Sequence, residues 1–269
     1  MSAVITFLSD YGQRDEFVGV CHGVIARRCP SARIIDLTHG VPRHDIRAGA
    51  LALQAALPYT PPGVHLAVVD PRVGGRRRAV ALATVREARI LVGPDNGLLM
   101  GAVALFGGVR DAVEISESRE RLIPTSATFH GRDIFAPVAA ALADGVRLRE
   151  VGQPLAPASL TTLTLPEPRV EGDALLVHVL AIDGYGNLSL DAMPELAASA
   201  GLEAAAELVV EAAGRKTPAL LRRSFSDVPP GALLAYRDAG GALALAVNRG
   251  SAAEQLGVGP DDELRLRPR

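Results

Sequence analysis

Val4-Ile5-Thr6-Phe7-Leu8-Ser9-Asp10-Tyr11-Gly12 is the stretch on which the fold class turns. Its first five residues, apolar or β-branched throughout, read as a buried strand, and the polar Ser9-Asp10 with Gly12 ends it. The period then changes: Phe17, Val20, Cys21, Val24 and Ile25 recur at helical spacing until Pro30 stops the helix. The alternation continues with strands over 33–37 and 64–69, a helix over 45–57, and further strands over 79–85 and 90–92. A helix over 98–106, an extended piece at 112–115 and an Ala-rich helix over 134–144, closed by Gly145, complete it. Strands alternating with helices predict an α/β, sandwich-like N-terminal domain with helices packed on a central sheet.

From 152 to 171 the helical period disappears, and Pro154, Pro157, Pro166 and Pro168 interrupt a run of Thr and Leu, which places a domain boundary there. Residues 1–165 form the α/β domain and 166–269 a second, smaller one. In the latter the apolar runs are short and β-like, at 174–182, 188–190, 207–210, 218–222, 232–236, 242–247 and 263–267, separated by Gly and Asp turns. That spacing predicts a small β-barrel or sandwich.

Composition excludes several classes of function. Twenty-eight basic residues against 30 acidic leave a net charge of −2, so no global field recruits nucleic acid or an anionic membrane. No apolar run approaches the ~20 residues that span a bilayer, and the first ten residues lack a basic leader. With no Trp and 4% aromatic residues, stacking platforms for single strands are few. Cys21 and Cys29 lie eight apart within one helix-like segment, which suits neither a redox pair nor a disulfide. The expectation is a soluble, cytoplasmic protein with reduced thiols that binds a small molecule.

Five polar clusters fall at strand ends, where α/β sheets place ligands. They are Ser9-Asp10-Tyr11-Gly12, Asp36-Leu37-Thr38-His39, Asp70-Pro71-Arg72-Val73-Gly74-Gly75, Pro94-Asp95-Asn96-Gly97 and Thr128-Phe129-His130-Gly131-Arg132-Asp133. Singly, each is ordinary turn chemistry; it is their number in one domain that points to a site. The Asp10 carboxylate offers two acceptors at the spacing of a ribose cis-diol, although a helix N-cap role competes, and Asp15 is the stronger cap candidate. Asp70 lies seven residues before Arg77 across the Gly74-Gly75 turn, so the two can pair, while Arg76, Arg77 and Arg78 cannot all point inward. His130 precedes a helix start that favours a polar or anionic group, and Gly131 beside it leaves room for close approach. Asp10, Asp36, His39, His44, Asp70, Asp95, His130 and Asp133 include metal donors, but none of the usual zinc spacings occurs. Neither GxGxxG after a strand nor a P-loop is present. No metal and no cofactor are therefore expected.

In this order and rough spacing the motifs resemble the S-adenosylmethionine hydroxide adenosyltransferases, the hydrolytic relatives of the chlorinase and fluorinase enzymes. The resemblance covers almost the whole chain, from Leu8-Ser9-Asp10-Tyr11-Gly12 through Thr128-Phe129-His130-Gly131-Arg132-Asp133 and Asp183-Gly184-Tyr185-Gly186-Asn187 to Asn248-Arg249-Gly250-Ser251. It implies an α/β domain joined to a β-barrel, assembled as a homotrimer with active sites between subunits. It implies hydrolysis of S-adenosylmethionine to adenosine and methionine, with Asp70, Arg77 and His130 activating a water aimed at ribose C5′. Asp70 would take the proton directly or through His130. Asp10 would hold the ribose, Asp183 and Asn187 the methionine ends, and Asp95, Asn96, Phe129, Gly131, Tyr185 and Asn248 would complete the substrate contacts. Halogenating members carry Tyr at the position of Asp70, the fluorinase has Ser where this chain has Gly131, and its insertion between the middle strands is missing. Water, not halide, is thus the implied nucleophile. Three other readings compete: a halogenase of the same superfamily, a non-catalytic sensor of an adenosyl ligand, and a metal-dependent hydrolase.

Overall fold

The computed structural model describes residues 3–269, which divide into two compact units, one running to Leu163 and the other Thr164–Arg269. The first contains, in order, β1 (Val4–Ser9), α1 (Phe17–Arg28), β2 (Arg33–Thr38), α2 (Ile46–Ala56), β3 (Val64–Val68), β4 (Ala79–Thr84), β5 (Ile90–Pro94), α3 (Met100–Leu105) and β6 (Val109–Glu114). A single π-helical turn, Gly131–Phe135, then leads into α4 (Ala136–Ala143), followed by α5 (Leu148–Val151) and β7 (Gln153–Leu155). The sheet order is β2-β1-β3-β5-β4-β6-β7. β2, β1, β3 and β5 run parallel; β4, β6 and β7 pair antiparallel.

Period-two alternation sends side chains to two cores. Ile5, Phe7, Leu66, Val68, Ala79 and Ala81 meet α1 and α4 on one face; Leu8, Ala67, Val69, Val80 and Leu82 meet α2 and α3 on the other. Both faces are therefore covered, which is why β3 and β4 are buried at every position. Asp45 caps α2 by accepting from Ala48 N at 2.9 Å. Asp15, by contrast, caps nothing: Glu16 occupies the N-cap of α1 and makes no side-chain cap bond.

The second unit comprises β8 (Arg169–Glu171), β9 (Ala174–Ile182), β10 (Leu188–Leu190), α6 (Pro194–Ser199), β11 (Glu207–Ala212), β12 (Arg215–Leu221), β13 (Leu233–Arg237), β14 (Leu243–Val247), α7 (Ala252–Leu256) and β15 (Glu263–Pro268). The order β10-β14-β13-β12-β11-β15-β9, with β10 also pairing with β9, closes a seven-stranded barrel to which β8 adds on the outside. Its interior is aliphatic, including Leu175, Val177, Leu188, Val210, Leu245 and Leu264, all fully buried. The predicted α/β domain followed by a β-barrel is the fold observed. Both cysteines are buried and free, and among the described residues no helix is long and apolar enough to cross a membrane.

Candidate active site

Strand register assembles the site. Ser9 lies opposite Val68 and Leu8 opposite Thr38, so Asp10, His39 and Asp70 leave the sheet at one edge. β4 runs the other way, with Ala79 opposite Pro94, and Arg77 and Arg78 therefore reach the same edge from its start. The turn between Asp70 and Arg77 passes through Gly74 at φ 75°, packed so closely on the next segment that a Cβ there would lie 2.2 Å from the Ala127 carbonyl oxygen. That contact seats the Asp70–Arg77 turn against the segment leading to His130.

Asp70, Arg77 and His130 meet. Arg77 Nε donates to both Asp70 oxygens, at 3.0 and 2.9 Å, and Nη2 donates to Oδ2 at 2.5 Å. Nη2 also donates to His130 Nδ1 at 2.7 Å. Both charged side chains are only 6% exposed, so the pair is held in a dry setting that strengthens it. A guanidinium can only donate, so Nδ1 must present its lone pair and the imidazole proton sits on Nε2. Burial first, and the Arg77 charge second, hold the His130 pKa below its ordinary value, which keeps the ring neutral. The two-step path expected through His130 to Asp70 is therefore not the one formed: the nitrogen facing the pair is engaged by Arg77. Asp70 keeps lone-pair capacity for a water of its own.

Asp70 and His130, with Arg77 behind them, border a cavity of about 510 Å³, a size usual for small-molecule sites. Asp10, Phe129 and Gly131 line it as expected. Asp10 does not cap α1; its Oδ2 accepts from His44 N at 3.0 Å. Tyr11, Phe17 and Phe129 make an aromatic wall of edge-to-face rings with centroids 5.3 to 6.0 Å apart. A Cβ on Gly131 would lie 2.0 Å from the Tyr11 hydroxyl oxygen. Burial, reinforced by the negative charges around it, pushes the Tyr11 pKa well up, so this hydroxyl stays a neutral donor.

Other expected contacts fall elsewhere. Asp95 accepts from Arg78 Nε at 2.8 Å and from Thr161 N at 2.8 Å, and Asn96 bridges Val69 O and Leu98 N. Both are engaged in the scaffold, and neither borders the cavity. In the barrel unit Asp183 accepts from the Tyr185 and Asn187 backbone amides and from Asn187 Nδ2, closing a turn. Tyr185 is 83% exposed, and Asn248 Nδ2 donates to Val228 O at 2.7 Å. Tyr11, Thr128 and Arg132 stood in the quoted strand-end clusters without a role of their own, and His44 only among possible metal donors; Phe17, Arg43 and Ser126 were missed as cavity-lining residues. The signal for His44 was the Pro42-Arg43-His44-Asp45 turn before α2, where His44 takes φ 68°.

Comparison with known proteins adds a family. Residues 5–152 match the SAM hydroxide adenosyltransferase N-terminal domain and residues 177–265 the C-terminal domain. The chain is 49% identical over 264 residues to a Salinispora tropica protein named (R)-S-adenosyl-L-methionine hydrolase, covering 97% of each. It is 43% identical over 270 residues to a protein of the same name from Thermus thermophilus, covering 97% of this chain and 98% of that one. Relatives named fluorinase match at 28 to 29% identity. Among solved structures, an uncharacterized conserved protein from Thermotoga maritima superposes with a TM-score of 0.90 at 36% identity, covering 98% of this chain and all of that one.

Proposed function

The chain belongs to the SAM hydroxide adenosyltransferase family, and from that premise we propose that it hydrolyses S-adenosyl-L-methionine to adenosine and L-methionine. The observation that carries this reading is that Asp70 and His130, joined through Arg77, both border the cavity. The sulfonium leaves as a neutral thioether, so the reaction requires neither an acid for the leaving group nor a metal; what it lacks is a good nucleophile. A water held in line with the C5′–S bond supplies the entropic part of the acceleration, and transfer of its proton to Asp70 the remainder. The oxygen–C5′ bond forms, the C5′–S pair departs with methionine, and the proton passes from Asp70 to solvent. Arg77 fixes the carboxylate, and His130, with its proton on Nε2, is a donor that can hold the water. Asp10 receives the ribose diol, and the aromatic wall packs on the substrate.

The position of Gly131 supports water over fluoride. A serine side chain there would overlap the Tyr11 hydroxyl, so the volume a fluorinase site would give to that serine is already filled. We further take the protein to be a cytoplasmic homotrimer without cofactor, in which Asp183, Tyr185, Asn187 and Asn248 of one subunit complete the site of the next. Light scattering tests this assembly, and a fully active monomer would refute it.

The deciding experiment incubates the purified protein with S-adenosyl-L-methionine in chloride buffer and separates the products. Adenosine and methionine in equal amounts, formed undiminished in EDTA, are expected. A 5′-halogenated nucleoside would make it a halogenase, binding without turnover a sensor, and loss of turnover restored by one divalent ion a metallohydrolase.

A further inference from the structure

Outside the cavity, at the sheet edge formed by β2, three ligating side chains converge. His22 Nε2 of α1 lies 2.9 Å from Asp36 Oδ1 on β2, and His39 Nε2, just beyond β2, lies 3.1 Å from the same oxygen. All three ligand atoms fall within 4.8 Å of one another. His39 is 2% exposed, yet its Nε2 has no hydrogen-bond partner. Its Nδ1 is 2.7 Å from Ser9 Oγ. Either tautomer leaves a defect. With the proton on Nδ1, a lone pair on Nε2 faces a carboxylate oxygen; with the proton on Nε2, a buried donor points off the line of any acceptor.

We propose that His22, Asp36 and His39 form a binding site for a divalent transition metal, zinc, separate from the reaction centre. A cation removes the defect in either form, because the ring then ligates through Nε2 and donates Nδ1–H to Ser9, the outer-shell bond that orients a metal-binding histidine. Zinc bonds of 2.0 to 2.1 Å in a tetrahedron place ligand atoms about 3.3 Å apart, within a few tenths of an ångström of the two contacts to Asp36. A side-chain rotation of His22, which is about one-third exposed, brings in the third ligand. Two imidazoles with one carboxylate select zinc-like ions over magnesium or calcium, and the exposed side of Asp36 leaves the fourth position to water. The His39 carbonyl accepts from Gly12 N at 2.8 Å and its ring holds Ser9, so the ion braces the loop that carries Asp10 without touching the cavity.

The test uses tag-free protein stripped with EDTA, dialysed and titrated with ZnCl2 by calorimetry, with Co2+ absorption as a second readout. One zinc per chain, a raised melting temperature and visible d–d bands of a tetrahedral cobalt site are expected. His22→Gln, on a partly exposed helix position, should weaken zinc binding at least about tenfold while leaving the metal-free melting temperature unchanged; Asp36→Asn should do the same. Absence of heat and of a thermal shift at about 0.1 mM zinc, or equal affinity in both variants, would overturn the site.

Discussion

Arg77 sits between two partners with opposite requirements, donating to the Asp70 carboxylate on one side and to the neutral His130 ring on the other. Replacing Asp70 with Asn preserves size and polarity but removes the proton acceptor. In Asp70→Asn, kcat should fall by ~10²–10⁴ with substrate affinity little changed; a raised KM with kcat intact would reduce Asp70 to a shape-giving residue. The contact of Gly131 with Tyr11 makes a second test. Gly131→Ser introduces a Cβ where the phenol oxygen stands, and overpacking of this kind costs about 1–3 kcal/mol. A lower melting temperature with a raised KM is expected, and Tyr11→Phe in the same chain should recover part of both; recovery of neither would mean that the phenol oxygen is not the obstacle. At this scale the sequence was most informative where one string holds several roles: Thr128-Phe129-His130-Gly131-Arg132-Asp133 named Phe129, His130 and Gly131 together. It was least informative for Asp95 and Asn96, whose turn-like setting fits both a ligand contact and the scaffold bonds they make. Tyr11, though within a quoted cluster, received no role because its contact is with a neighbour 120 residues away.

The edge where the strands end is legible in a sequence, since each apolar run simply stops at a polar residue. Less legible is that Arg77 arrives there from the start of an antiparallel strand, because nothing in the run 79–85 states its direction. The tight turn before it is where this element can be broken. Gly74→Ala imposes a side chain at φ 75° and drives it into the Ala127 carbonyl, a strain of order 1–3 kcal/mol. Thermal unfolding should drop accordingly and kcat should fall with it, as the turn lifts from the segment bearing His130; a variant that loses stability but keeps full kcat would show that the seating of this turn is unimportant. Some short elements were also illegible, although the three-residue strand at 188–190 was not one of them. β7, α6 and α7 are too short for a period to register, and the π turn at Gly131–Phe135 reads as plain α-helix from its composition.

Across the whole molecule, the histidine that bears on stability is not the one proposed for the chemistry. His65 is fully buried, its Nδ1 2.9 Å from Thr6 Oγ1 and its Nε2 accepting from Arg89 at 3.2 Å. Burial, then the Arg89 charge, lowers its pKa from 6.5 to about 3. Between these values the unfolded chain binds a proton that the native one refuses. Its contribution is therefore intact above pH 6.5 and lost by about 1.4 kcal/mol per pH unit as the pH falls toward 3. Melting temperatures from pH 7 to 4 should decline more steeply in the native sequence than in His65→Asn, whatever the offset between them; parallel slopes would refute the assignment. The barrel was legible as many short strands, but its closure was not, because that depends on a pairing between β10 and β14 more than fifty residues apart in sequence.

That closure has a kinetic consequence. β10 is three residues long, the shortest strand of the ring, and is held by two residue pairs on one side and three on the other, whereas β11 has six and four. The β12–β13 seam also has only two pairs, but over both its sides β10 has the fewest of any strand in the ring, so local unfolding should begin there at a free energy below that of global unfolding. The turn it would release, carrying Asp183, Tyr185 and Asn187, is one assigned to the substrate. In deuterated buffer the amides of Leu188–Leu190 should exchange well before those of Glu207–Ala212, and saturating L-methionine together with adenosine should slow the former selectively; uniform protection around the ring would show that no such clasp exists.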